Sequence, residues 1–318
     1  MVICKELLIS QINNKNFYKR DNNLVPDLVQ YVIKNNNLIE IKHCYGCPSL
    51  KNPRRRNQFA ELIKNVLKKH KIKDGNVYIN MADHPKMGVF NFCRIKNDNR
   101  CFLLPNQRFT YDDIKLFGSW KQENFPTFKE TSDYLQNLHD KYKFEDKINK
   151  FYTSCIPHFS KVDYFKFALN NTTICDGYIY GGSVHKYVGL PQNFINACID
   201  NGLAGTQLKD FVENYKYKYL IYNDGNTLSD RTRLLLNINS VIVKKQSPYE
   251  EFYSYLLKNN ENYIEYSRTE ELLDIYNRLE NDNELCNKII NNNKNFINNV
   301  LNYNNLLEYT AYLLNNII

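Results

Sequence analysis

The sequence predicts an α/β protein built around a parallel β-sheet. After Tyr215 the runs YKYLIY, SVIVKK and NYIEY are strand-like, and polar loops with helical patterns separate them. This β-α-β-α-β order, in which SPYEEFYSYLL supplies the second helix, is the repeating unit of a doubly wound sheet. Residues 57–70 form an amphipathic helical pattern before the strand-like run NVYINM, so the alternation also occurs earlier in the chain.

Composition places the chain among globular proteins and indicates which classes of ligand suit its charge. Its 318 residues are 43% hydrophobic and 14% aromatic, enough for packed cores. The net charge of +8 comes from 42 Lys and Arg against 34 Asp and Glu, spread along the chain. This modest excess suits an anionic ligand. We expect no nucleic-acid partner, because no recognised nucleic-acid motif accompanies the basic residues.

The lengths of the apolar runs and the pattern of cysteines bear on the cellular location of the protein. No segment approaches the ~18 consecutive apolar residues of a membrane span, and the first residues do not form a signal-peptide core. Nine scattered cysteines fit reduced thiols better than a disulfide framework. We therefore expect a cytoplasmic protein without a membrane span. Cys44 and Cys47, beside His43, lack a second metal-binding pair at finger spacing, which favours a turn with buried thiols over a zinc site.

The first half of the chain places an acidic residue at the end of a strand. Asp74-Gly75 turns the chain from the helix at 57–70 into NVYINM. Pro85 prevents this strand from continuing as a central one, so Asp83 lies just beyond its carboxyl end. Ligands bind at that edge of open α/β sheets. Asp83 is therefore a candidate site residue, with a turn-forming role before Pro85 as the alternative.

The order of elements divides the chain near residue 150. The strand-like runs VFNFCRI and RCFLLP are followed by weaker periodicity from about 109 to 150, where we expect the chain to cross between halves. We predict one domain over 1–150 and a second over 151–318. From Thr269 onward, the apolar spacing predicts helices that pack on the second half or return to the first.

The segment after YKYLIY has the features of a phosphate site. Gly225 permits a tight turn, and Ser229 or Asp230 is a good N-cap for a helix that contains Arg231. Free amides at that helix start, together with Arg231, form a cradle for a diphosphate. A surface pair of Arg231 and Asp230 is the equal alternative. Neither a Walker sequence nor a GxGxxG motif is present, which disfavours P-loop nucleotidases and classical dinucleotide enzymes.

Three segments resemble motifs of glycosyltransferase family 90, the lipopolysaccharide-modifying and protein O-glucosyltransferase group. The stretch KYKYLIYNDGNTLSDRTRLLLNINSVIVKKQSPYEEFYSYL resembles the donor-binding segment of that family. VYINMADHPKM resembles its hydrophobic-INxxDxP motif, whose Asp is the catalytic base. FYTSCIPHFSK is similar to its F-x-G-S-x-T-(S/G)-x-x-x-R loop but lacks the Gly and the terminal Arg, and Lys161 stands in the Arg position.

The resemblance implies a fold and a reaction. Family members have a GT-B architecture, in which two Rossmann-like halves face each other across a cleft. The N-terminal half supplies mainly the acceptor side, and the C-terminal half binds the nucleotide sugar. The implied reaction transfers glucose or xylose, with inversion, from UDP-glucose or UDP-xylose to a hydroxyl of a glycan or protein acceptor. No cofactor is obligatory in the family, so we expect metal-independent activity.

The resemblance also implies roles for individual residues. Asp83 is the expected general base. The expected donor-binding residues are Ser154, Lys161, Asp224, Gly225, Asn226, Ser229, Asp230, Arg231 and Glu251. Arg231 and the loop amides stabilise the leaving UDP, and Asp224 is a turn residue near the ligand. Glu251 accepts hydrogen bonds from ribose or sugar hydroxyls, with a solvated helical Glu as the alternative.

Two other functions stay open. A non-catalytic basic module on the same fold, binding a glycan or nucleic acid, is favoured by the departures from the family pattern in FYTSCIPHFSK. A glycoside hydrolase needs two carboxylates about 5–9 Å apart, and the sequence offers one acid in a compelling context. The sequence therefore favours the transferase over the hydrolase.

Overall fold

The computed structural model describes residues 28–43, 53–81, 84, 90–96, 102–105, 128–181, 190–207, 209–225, 227–229 and 231–318. Within these ranges the chain forms a five-stranded sheet, a four-stranded sheet, a three-stranded sheet and a two-stranded ladder. Helices alternate with the strands, so the predicted α/β class is confirmed. Asp83, Asn226, Asp230 and the pair of Cys44 and Cys47 lie outside the described residues.

The five-stranded sheet begins with a hairpin that the sequence analysis did not predict. β1 (Leu28–Lys34) and β2 (Asn37–His43) pair antiparallel. Asn35 and Asn36 form the turn with φ values of 51° and 59°. Two-residue hairpins require such positive values, and Asn tolerates them better than most residues. The two asparagines therefore have a structural role, because they form this turn.

The remaining strands of this sheet make it mixed. β3 (Gly75–Asn80) pairs antiparallel with β1, whereas β4 (Phe90–Asn91) and β6 (Phe102–Leu103) add in parallel. The sheet order is β2-β1-β3-β4-β6. The predicted strand NVYINM is confirmed. The helix predicted at 57–70 is also confirmed, as α1 (Pro53–Lys69), whose apolar stripe is buried.

Four parallel strands form the second sheet. They are β7 (Ile148–Tyr152), β11 (Tyr217–Tyr222), β12 (Val241–Lys245) and β14 (Ile264–Tyr266), in the order β14-β12-β11-β7. The central strands are buried on both faces, as in parallel sheets that are covered by helices. The strand series predicted after Tyr215 is thereby confirmed.

Shorter elements surround this parallel sheet. A small parallel sheet of order β10-β9-β8 contains β8 (Ser154–Cys155), β9 (Tyr178–Tyr180) and β10 (Ala204–Gly205). The helices here are α2 (Phe128–Asn137), α3 (Phe159–Asn170), α4 (Gln192–Asp200) and α5 (Thr232–Leu235). Buried residues of α3 and α4 pack against the face of the second sheet that carries Tyr219 and Val243.

Two connections differ from the predicted helices. α5 has only four residues and its N-cap is Arg231. The prediction that Ser229 or Asp230 caps a helix containing Arg231 is therefore wrong. In SPYEEFYSYLL, the strand β13 (Tyr249–Glu250) and a 3₁₀ turn at Ser254–Leu256 replace the predicted helix. The reason is a long-range pairing, because β13 lies antiparallel to β5 (Arg94–Ile95) of the first half.

A buried ion pair accompanies the ladder of β5 and β13. Arg94 and Glu250 are partners in register, and Arg94 Nε lies 2.5 Å from Glu250 Oε1. Their side chains are only 7% and 16% exposed. The Lys96 amide also donates to the Pro248 carbonyl at 2.8 Å. The ladder therefore ties the first half of the chain to the loop that follows β12.

The C-terminal helices confirm the predicted helical tail. They are α6 (Leu272–Asn281), α7 (Asn283–Asn299) and α8 (Tyr303–Ile317). α8 returns to the first half, where it packs on α1 and the Tyr309 hydroxyl donates to the Leu103 carbonyl at 2.8 Å. Within the described ranges, no helix combines the length and the apolar character of a membrane span.

The division at residue 150 and the cleft between two halves stay predictions. β7 starts at Ile148 and belongs to the second sheet. One continuous set of buried residues, which includes Phe59, Leu220 and Leu234, connects the first sheet with one face of the second. The two sheets therefore share part of their core.

We expect Glu250→Ala to lower the free energy of unfolding by about 3 kcal/mol or more, because it leaves the Arg94 guanidinium buried without its carboxylate. Urea denaturation measures the change. The control is Asp133→Ala, which removes an exposed pair with Lys129 and is expected to cost less than about 1 kcal/mol. Equal costs for the two variants would contradict a stabilising role of the buried pair.

Candidate functional site

The loop after β11 closes back onto the end of its own strand. The Tyr222 hydroxyl accepts a hydrogen bond from the Ser229 amide at 3.0 Å and donates to the Ser229 carbonyl at 2.9 Å. The Gly225 amide donates to the Thr227 carbonyl at 2.8 Å. A Cβ added at Gly225 comes no closer than 4.0 Å to that carbonyl oxygen, so space alone does not require glycine here. The loop stands at the carboxyl edge of the parallel sheet, where ligands bind in such folds.

The segment that leads into α3 is tied to this loop. Lys161 Nζ donates to the Asp224 carbonyl at 2.7 Å and also to the Asn223 carbonyl. The Ser160 hydroxyl donates to the same Asp224 carbonyl. His158 caps α3 by accepting from the Ser160 amide at 3.2 Å, which fixes the start of the helix. Segments 154–161 and 223–231, far apart in sequence, therefore meet at one sheet edge.

Arg231 makes a second link between segments 154–161 and 223–231. Its Nη1 donates to the Ser154 carbonyl at 2.5 Å, and its Nη2 donates to Asn214 Oδ1 at 3.5 Å. Ser154 and Arg231, both predicted from the sequence, are thus in direct contact. Because α5 has a single turn, its dipole adds little charge, and the cationic character of this position comes from the guanidinium.

Asp224 has a side-chain role that the sequence did not predict. Its Oδ2 accepts from the Ser247 hydroxyl at 2.5 Å, which links the loop after β11 to the loop after β12. Its Oδ1 is buried and has no hydrogen-bond partner in the described part of the chain. Burial raises the pKa of this carboxyl, although the Ser247 hydrogen bond and the charges of Lys161 and Lys244 act to lower it.

Lys161 is buried, and its ammonium contacts protein groups. Burial lowers the pKa of Lys161 to about 8. The sequence assigned it to a donor phosphate, and that role stays a prediction. Two of its three ammonium protons are taken by the carbonyls of Asn223 and Asp224, so the structure adds a role in holding the two segments together.

Glu251 is buried rather than solvated. It is 8% exposed and follows β13, and its amide donates to the Ser254 hydroxyl at 2.8 Å. The alternative of a solvated helical Glu is therefore wrong. Burial, the charge of Asp224 and the charge of Glu251 together raise the pKa of the Tyr222 phenol. Glu251 thus lies close to the strand end that carries the predicted loop.

On the first-half side, Asn80 fixes the chain beside the candidate base. Asn80 ends β3 and is 1% exposed. Its Nδ2 donates to the His84 carbonyl at 2.7 Å and to Asn91 Oδ1, at the end of β4, at 2.8 Å. His84 follows Asp83 directly in the sequence. Asn80 was missed as a functional residue, although its place in the INxxDxP pattern was a usable signal.

The surroundings of the site bear on metal binding and include a neighbouring groove. In the described ranges, no group of three or more His, Cys, Asp and Glu side chains could hold a metal ion, and metal independence stays a prediction. A groove of about 560 Å³ lies between α3 and the segment after β14, and its lining includes Lys166, Lys245 and Arg268. The groove contains none of the predicted site residues, so it is a separate surface.

The comparisons with known proteins assign the family. The profile of glycosyl transferase family 90 matches residues 55–317. The chain belongs to glycosyl transferase family 90.

One relative and one solved structure can be placed beside this family member. The chain is 26% identical over 205 residues to protein O-glucosyltransferase 2 of Danio rerio, a match that covers 60% of this chain and 37% of that protein. The chain thus spans little more than a third of the length of this relative. The crystal structure of TarM matches 53% of this chain and 36% of its own chain, with 13% identity and a TM-score of 0.38.

We expect the Lys161 ammonium to titrate near pH 8, because burial disfavours its charged form and lowers its pKa to about 8. NMR of lysine labelled with ¹³C at Cε measures this, and Lys161→Arg identifies the signal by removing it. Since this pKa is below that of the unfolded chain, the unfolded state binds more protons between the two values. The contribution of Lys161 to the free energy of unfolding therefore increases as the pH rises above about 8. Titration in the ordinary lysine range would contradict its burial.

Proposed function

We propose that the protein is an inverting glycosyltransferase that moves glucose or xylose from a UDP-sugar to a hydroxyl of a glycan or protein acceptor. The observation that carries the proposal is the meeting of segments 154–161 and 223–231 at the carboxyl edge of the parallel sheet. The resemblance assigned both segments to the donor. Family membership supports glycosyl transfer, and the name of the Danio rerio relative favours glucose as the sugar.

Asp83 is the proposed general base. It deprotonates the acceptor hydroxyl as the oxygen attacks C1 of the donor sugar, which inverts the configuration at that carbon. Asp83 follows β3, and ligands bind at the carboxyl ends of the strands in this class of sheet. Asn80 supports this role by anchoring the carbonyl of His84, the next residue, to the end of the strand. This hydrogen bond fixes the residue that follows the proposed base in the sequence.

The departing UDP gathers negative charge that the donor site must stabilise. Arg231 supplies a guanidinium. Of the loop amides predicted to assist it, those of Gly225 and Ser229 donate to the Thr227 carbonyl and the Tyr222 hydroxyl, and those of Asn226 and Asp230 lie outside the described residues. Preorganised donors and positive charges of this kind replace a metal ion in stabilising a leaving group. Ser154 and Lys161 hold the facing segment and complete the donor cradle.

We assign the carboxylates of the second half to the side of the donor site that faces the ribose and sugar hydroxyls. Glu251 is the proposed acceptor of hydrogen bonds from ribose or sugar hydroxyls, and it is buried near Tyr222. Asp224 fixes the loop through Ser247.

We expect the protein to bind one UDP-sugar and to release UDP, and we expect Asp83→Asn to abolish release while binding persists. The variant lowers the rate by about 100-fold or more, because it removes the base and leaves the donor cradle intact. Calorimetry measures binding of UDP-, GDP- and dTDP-sugars, and a coupled assay measures UDP release with and without an acceptor extract.

The same measurements separate the alternatives. A basic binding module binds a glycan or nucleic acid and releases no UDP from any nucleotide sugar. A hydrolase releases free sugar from a glycoside in the absence of nucleotide. Absence of UDP-sugar binding by the wild-type protein, or undiminished UDP release by Asp83→Asn, would contradict the proposed function or the proposed base, respectively.

A further inference from the structure

Lys244 on β12 emerges beside the loop that follows β11. It lies in register with Tyr222 of β11 and with Glu265 of β14. Residues at matching positions of neighbouring strands project to the same face of a sheet. The hydroxyl of Tyr222 on that face holds Ser229. Lys244 therefore projects from the same face as the residue that anchors the loop.

The Lys244 side chain is largely buried, and in the described part of the chain its ammonium has no hydrogen-bond acceptor. The residue is 9% exposed. Its Nζ lies 5.0 Å from the ring centroid of Tyr263 and 6.0 Å from that of Tyr222. Across the described ranges it forms no hydrogen bond and no ion pair, and the rings supply only cation–π attraction. An ammonium whose protons are not taken by protein oxygens can donate them to an anion, so the position is suited to an anionic ligand.

The charges around Lys244 are those of the predicted donor site. Burial lowers the pKa of Lys244, and the charge of Lys96 lowers it further, whereas Asp224, Glu251 and Glu265 raise it. Lys96 belongs to the segment that is hydrogen-bonded to Pro248, so the first half brings a second cation to this edge. The acidic neighbours place Lys244 close to both carboxylates of the proposed site.

The other cations of the site are engaged by protein oxygens. Lys161 donates to the carbonyls of Asn223 and Asp224, and Arg231 donates to the Ser154 carbonyl. Lys244 has no comparable acceptor in the described part of the chain. An anion that reaches this edge therefore finds in Lys244 an ammonium whose protons are not already taken.

We propose that Lys244 binds the diphosphate of the UDP-sugar and stabilises the departing UDP, an inference that rests on the proposed function. In the transfer step, the acceptor oxygen forms a bond to C1 and gives its proton to Asp83. The bond from C1 to the phosphate oxygen breaks, and its electron pair stays on that oxygen. An N–H of Lys244 donates to the diphosphate that carries this charge.

The test compares Lys244→Met with Lys245→Met. Lys245 is the next residue, pairs with Asp163 at 3.3 Å and lines the separate groove, so it is a matched control. Calorimetry with UDP and with uridine is the measurement. We expect Lys244→Met to lower UDP affinity by about 10- to 100-fold, because one charge-assisted contact is lost, and to leave uridine affinity unchanged. Lys245→Met is expected to bind both as the wild type does, and Lys244→Arg is expected to restore most of the UDP affinity.

Each other outcome overturns the inference in a recognisable way. Wild-type affinity for UDP in Lys244→Met removes Lys244 from the diphosphate site, and an equal loss for UDP and uridine assigns it a structural role. Loss in Lys245→Met alone places the anion in the groove. If the wild-type protein binds no UDP, the proposed function fails first. Lys244→Gln is measured in parallel, and its UDP affinity decides the matter if the Met variant does not fold.

Discussion

Two backbone carbonyls at the end of β11, those of Asn223 and Asp224, are the groups on which the candidate site depends. A strand that ends at a sheet edge leaves such carbonyls without ladder partners, and buried carbonyls need donors. Lys161 and Ser160 provide the donors from the start of α3. This local need for hydrogen bonds has a wider consequence, because it fixes segments 154–161 and 223–231 against each other before any ligand arrives.

The distribution of positive charge follows from that arrangement. Lys161 and Arg231 both donate hydrogen bonds to backbone carbonyls of the protein. Lys244 instead packs against aromatic rings, and its ammonium has no hydrogen-bond acceptor among the described residues. The ladder of β5 and β13 adds Lys96 from the first half. A site that stabilises a leaving diphosphate needs a cation that is held in position and still has protons to donate, and Lys244 meets both needs.

Local patterns predicted much of the fold and less of the site. The strand NVYINM, the strand series after Tyr215 and the terminal helices could be predicted because their apolar residues recur with the period of a strand or a helix. The fold buries most of those apolar residues. The hairpin at Asn35 and Asn36 was not predicted, although the positive φ values of its turn suit Asn. The helix predicted across Tyr249–Glu250 was wrong because pairing with β5 decides that segment. Lys244 could not be identified from spacing, since its importance depends on register with Tyr222 and on the absence of an acceptor among the described residues.

The most direct measurement is a crystal structure of the protein with UDP. A donor site at the carboxyl edge of the parallel sheet predicts the diphosphate within hydrogen-bond distance of Lys244 Nζ, with the loop of residues 223–229 beside it. UDP bound instead in the groove lined by Lys166, Lys245 and Arg268 would contradict this placement of the donor and, with it, the roles assigned to Arg231 and Lys244.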